Sequence, residues 1–115
     1  MNSFHVNRNL SYPVLVGEKV ELVSANTGQV NVRIDQRRYD AMRTALLEVV
    51  PQSPDGVAYG ELSELVKPHL PKWWFEKEFS IAWHIATVKL DLQHRGLVEN
   101  VEGKRPMHVR RRGQS

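Results

Sequence analysis

Five cations close the chain. They are Lys104, Arg105, Arg110, Arg111 and Arg112, set against only Glu99 and Glu102 after residue 98. Residues 1–98 balance at 11 basic and 11 acidic side chains, so the whole net charge of +3 falls in the remaining stretch. A local cluster of this kind can neutralise phosphates or lay an arginine into a minor groove. Such contacts give affinity and salt dependence but little sequence discrimination. A solvated basic tail without a partner is the plainer alternative.

A second group lies just upstream. With Ile81, Ile85, Val88 and Leu92 facing inward at i, i+4, i+7 and i+11, His84, Thr87, Asp91 and His94 are expected toward the outer faces of a helix. His84 and Thr87 would then stand nearest base edges. Arg, Lys, Asn and Gln are the side chains that match those edges best, and this helix offers none of them in its first half. Asp91 would meet phosphates unfavourably, as would Glu76 and Glu78 just ahead of the helix, while Lys89 and Gln93 fall on another side.

Trp73, Trp74, Phe75, Phe79 and Trp83 crowd one short window. Such rings can stack on bases or cap a core. Two adjacent tryptophans in a linker cannot easily both point inward, so Trp73 or Trp74 is the candidate docking surface.

Other chemistries find little support. There is no cysteine, which removes disulfides, thiolate metal sites and cysteine nucleophiles. His84 and Asp91 are seven residues apart, about 10 Å along a helix axis, too far to share an ion. Asp91 and His94 could pair, yet two ligands do not close a metal site. No phosphate-cradling glycine loop, nucleophile elbow or metalloprotease helix is present, so no enzyme, cofactor or metal is expected. The longest apolar run near the start, Val14-Leu15-Val16, is far short of a signal sequence or membrane span, which leaves a cytoplasmic location as the default.

These residues need elements to hold them. At 115 residues, with 41% hydrophobic and 25% charged side chains, the chain fits one globular domain with a modest core. Residues 1–17 read as an arm, 18–112 as one domain opening with a hairpin at 19–34, and 113–115 as a tail. In the hairpin, Val20 and Leu22 and then Val30, Val32 and Ile34 recur with period two, around a turn at Asn26-Thr27-Gly28. Asp35 caps a first helix bearing Tyr39, Met42, Leu46, Leu47 and Val50, which Pro51 closes. A short strand at Val57 precedes a second helix, roughly 60–70, with Leu62, Leu65 and Val66 inward and Pro68 distorting its end. After a bulky linker at 71–79, Ser80 caps a third helix that Gly96 terminates. Residues 97–101 and 107–110 follow as two short strands.

Helix, short strand, helix, helix, strand, turn, strand is the order of a winged helix-turn-helix of the α+β class. Asn26-Thr27-Gly28, Tyr39-Asp40-Ala41-Met42-Arg43 and Val88-Lys-Leu-Asp-Leu-Gln-His-Arg-Gly-Leu-Val98 resemble an uncharacterised family of short bacterial proteins with a winged-helix-like domain. That family carries an Asn-Thr-Gly turn before its first helix and a Leu-Asp-Leu-Glu-Ala-x-Gly-Leu signature ending its third. The resemblance covers roughly residues 18–110, departs at Gln93-His94, and implies the fold while assigning no activity.

Two functions are open at this point. One is a non-enzymatic winged-helix module contacting DNA through Lys104, Arg105, Arg110, Arg111 and Arg112, with His84 and Thr87 at the bases. The other is a protein-interaction or homodimerisation module that uses Trp73 or Trp74 and does not bind nucleic acid.

Overall fold

A computed structural model describes residues 15–16, 19–23, 28 and 30–113. Strands β1 (Leu15–Val16), β2 (Lys19–Val23) and β3 (Val30–Asp35) form an antiparallel sheet in that order. Val20 pairs with Ile34, and the alternation read from the sequence puts Val20, Leu22 and Ile34 in the core. Gly28 takes a positive φ of 72° before β3; Asn26, Thr27 and the arm through Val14 lie outside the described residues.

Asp35 ends β3 and starts helix α1 (Gln36–Val49), its Oδ2 accepting from the Arg38 amide. Tyr39, Met42, Leu46 and the closing Val50 are buried, with Ala45 between them. Strand β4 (Val57–Ala58) follows a loop in which Gly56 adopts φ +66°. No other residue fits at that position. A Cβ there would stand 2.4 Å from the Val109 carbonyl oxygen, and the backbone conformation already disfavours L side chains.

The second helical region is broken into pieces: a 3-10 turn at Tyr59–Glu61, helix α2 (Leu62–Val66) and a 3-10 turn at Lys67–His69. Pro68 explains the tightened end, since it cannot donate into an α-helical ladder. Leu62 and Val66 are buried but Leu65, expected inward, is 38% exposed. Part of the linker, Lys72–Glu76, coils into another 3-10 segment. Helix α3 (Ile81–His94) starts where Ser80 Oγ accepts from the Trp83 amide and stops before Gly96, whose φ is +79°.

Strands β5 (Val98–Asn100) and β6 (His108–Arg111) form the terminal hairpin, and β4 adds to β6, giving the order β4-β6-β5. The β1-β2-β3 sheet packs on α1 and α3 from one side, while β5 meets α3 from another. The described residues are therefore α+β, with three helices and two small antiparallel sheets, an arrangement compatible with a winged helix. None of its helices, among the described residues, is long and apolar enough to cross a membrane.

Candidate interaction surfaces

Helix α3 has three distinct sides. Ile85, Val88 and Leu92 enter the core, with Ile81 half-buried at its start. The two flanks are covered as well, which corrects the sequence reading at His84 and Asp91, both expected toward the surface.

His84 is 3% exposed and sits among rings, with Trp74 and Trp83 each 4.8 Å away and Phe79 at 6.2 Å. Its Nδ1 lies 2.6 Å from the Ser80 carbonyl oxygen, which can only accept, so Nδ1 carries the proton. Nε2 then accepts from Arg38 Nη1 at 3.3 Å. Burial, opposed by the Ser80 bond and helped by the Arg38 charge, holds the ring below the ordinary histidine range. This residue cannot reach a base edge.

Asp91 is wholly buried and accepts three hydrogen bonds, from Tyr39 Oη (2.9 Å), the Val23 amide (3.0 Å) and Arg95 Nε (2.9 Å). Arg43 Nη1 in turn donates to Tyr39 Oη. Desolvation and the Asp91 carboxylate both push the Tyr39 phenol up. Asp91 therefore locks β2, α1 and α3 together. On the other flank Lys89 is 6% exposed, its Nζ directed at Met107 Sδ (3.9 Å) and the Tyr59 ring; desolvation lowers its basicity.

What remains outward on α3 is Ala82, Trp83, Ala86, Thr87, Leu90 and His94, a stripe without a single Lys, Arg, Asp or Glu. Trp83 stands 44% exposed in it, and Thr87 keeps part of its surface. The two tryptophans singled out from the linker behave differently. Trp74 is buried, with its ring 5.5 Å from Phe79, while Trp73 is half-buried beneath the Arg37 guanidinium, 4.5 Å from the ring centroid. A 3-10 turn allows this, because successive side chains leave it at about 120° to one another. Among the described residues, Phe75 and Trp83 are the most exposed large aromatic rings, at 53% and 44%.

The terminal cations also spend much of their capacity internally. Arg110 Nε donates to Glu99 Oε2 at 2.6 Å and its Nη1 to the Pro54 carbonyl. Arg111 Nε donates to the Val50 carbonyl and its amide to Pro51. Lys104 and Arg112 make looser ion pairs, 3.7 Å to Asp55 and 3.6 Å to Glu99. Exposed pairs of that kind are worth about 0–1 kcal/mol and could be exchanged for phosphate. The Arg110 and Arg111 contacts are shorter and partly buried. Arg105, at the hairpin tip before a cis Pro106, is exposed and has no side-chain partner among the described residues.

One concave site lies elsewhere. A cleft of about 460 Å³ opens between α1 and the Pro68–Trp73 segment, lined by Arg37, Asp40, Thr44 and His69 among apolar neighbours. Asp40 Oδ1 is closed off from solvent and has no donor among the described residues.

Residues 19–109, most of the chain, match a family described as a family of unknown function, DUF6958. The chain belongs to that family. No curated protein and no solved structure matches it. In this DUF6958 chain the residues that could act are thus the uncharged α3 stripe, the Arg105 tip and the α1 cleft. No three His, Asp or Glu side chains among the described residues are grouped so as to hold a metal. The stripe was overlooked in the sequence because Trp83 was counted with the linker aromatics and not with the helix that carries it. The cleft left no periodic signal, since its walls come from segments thirty residues apart.

Proposed function

We propose that this chain is a non-enzymatic, winged-helix-like interaction module of the cytoplasm that pairs with a second copy of itself through the outer face of α3. The supporting observation is the uncharged stripe from Ala82 to His94 with Trp83 half open near its N-terminal end. In a regulator that reads DNA this helix would carry cations and amides. An open aromatic ring on a face depleted of charged residues is instead a feature of an interface core, and tryptophan is enriched among residues that dominate binding energy. A two-fold interface brings a patch against its own copy, and a stripe lacking charge does so without like-charge repulsion. Sedimentation velocity across 5–500 µM (order-of-magnitude range for weak pairing) is expected to show a concentration-dependent dimer. Trp83→Ser should abolish it while the far-ultraviolet spectrum stays unchanged. A monomer at the highest concentration overturns the proposal.

A second reading, nucleic-acid contact through the terminal hairpin, is favoured by Arg105 alone being exposed and unpaired there among the described residues, with Arg112 and Lys104 in weak pairs beside it. Fluorescence anisotropy with a duplex across a salt series separates the two. Contact through Arg105, Lys104 and Arg112 predicts log K falling with log salt at a slope of about −3. No binding at low salt removes it.

A further inference from the structure

We propose that the cleft between α1 and the Pro68–Trp73 segment is a site for a free α-amino acid with an apolar side chain, its ammonium beside Asp40 and its carboxylate on Arg37. This is independent of the pairing of α3.

Arg37 and Asp40 are three apart on α1, the spacing at which opposite charges ordinarily meet on a helix surface. They do not pair here. Neither takes part in an ion pair among the described residues. Arg37 is drawn away over the Trp73 ring, 4.5 Å from its centroid. Stacking uses the face of the guanidinium and leaves its edge N–H groups, which match a carboxylate bidentately, without an acceptor among the described residues. Asp40 is the converse case. One carboxylate oxygen is shut away from solvent with no donor among the described residues, so a ligand in the cleft meets Asp40 through its charge and its other oxygen. Desolvation accordingly raises the pKa of Asp40, against the nearby Arg43 charge, which lowers it.

The cleft thus holds an acid without an ion-pair partner among the described residues and an anion-binding base three residues away on the same helix, with Ala41, Leu70, Pro71 and Trp73 lining the rest. It is a broad, open depression of about 460 Å³, so a small ligand would lie on it with one side in solvent. A ligand with only an ammonium would meet repulsion from Arg37, and one with only a carboxylate repulsion from Asp40. Adjacent charges of both signs on an apolar body satisfy both, and a free α-amino acid is the simplest molecule so built. Peptide termini carry one of the two charges and are disfavoured.

The test is an NMR titration of the full chain with L-leucine, L-phenylalanine and L-tryptophan, following the backbone amides. At least one is expected to shift the amides of 37–44 and 68–73 saturably. Its N-acetyl derivative and its methyl ester, each lacking one charge, should bind at least tenfold more weakly. Asp40→Asn should lower affinity by a similar factor, as should Arg37→Gln at an exposed position that does not threaten folding. No saturable shift from any of the three, shifts confined to other residues, or equal binding of the blocked derivatives would overturn the site.

Discussion

Asp91 accepts from a phenol, an amide and a guanidinium with no solvent contact, so its removal is costly. Asp91→Ala removes the buried anion that Arg95 Nε, the Val23 amide and the Tyr39 hydroxyl all donate to. Urea denaturation should record a loss of about 3–5 kcal/mol, against about 1–2 kcal/mol for Tyr39→Phe, which removes one hydroxyl. His84 sets a pH dependence. Its folded pKa lies below that of the unfolded chain, so the unfolded state takes up the proton first as pH falls. This group's contribution is complete above about pH 6.5. It is lost as pH drops through the folded value, with a slope of up to about 1.4 kcal/mol per pH unit. Replacing His84 with Gln should flatten the fall in stability below about pH 6.5; an unchanged profile would assign that fall to other groups. Neither role was legible in sequence, because a polar residue off the apolar stripe of a helix looks solvated until another element covers it.

At the scale of elements the sequence was far more informative. Asp35 and Ser80 were readable as caps and are caps, because a short acceptor ahead of an apolar period meets free amides wherever the helix begins. Ser80→Ala should cost about 1 kcal/mol in thermal or chemical unfolding. Gly96 was readable as a terminator for a similarly local reason. Gly56 was not, since its constraint comes from the Val109 carbonyl fifty-three residues later. Gly56→Ala combines a positive φ with that clash and should destabilise by about 2–4 kcal/mol, more than an exposed Gly28→Ala with the same φ sign and open space around it. Comparable losses at the two glycines would mean that β6 yields at no cost. The broken form of the second helix followed from Pro68, whereas the inward turn of Trp74 depended on a 3-10 coil that the linker's sequence did not announce.

The whole molecule ties its charged end to its stability. Strand β6 is the middle strand of its sheet, and Val109 within it is fully buried. Deleting residues 104–115 therefore removes structure along with charge, and the truncated chain is expected to lose cooperative unfolding by circular dichroism. Arg105→Gln with Arg112→Gln removes two charges and should leave the melting temperature within about 2 °C, because surface substitutions of this kind change stability by less than about 0.5 kcal/mol. A cooperative transition in the truncated chain would show that the hairpin is an appendage. By itself the sequence determined the order of elements, their caps and the inward stripe of each, since these depend on periodicity and on residues within a turn of one another. Only the tertiary structure decided which remaining faces are covered. The β1-β2-β3 sheet closed over Asp91, the aromatic turn over His84 and the hairpin over Lys89, leaving Trp83 and the Arg37–Asp40 cleft outside. Burial of a flank is set by what packs on it from distant parts of the chain, and no local pattern of residues encodes that.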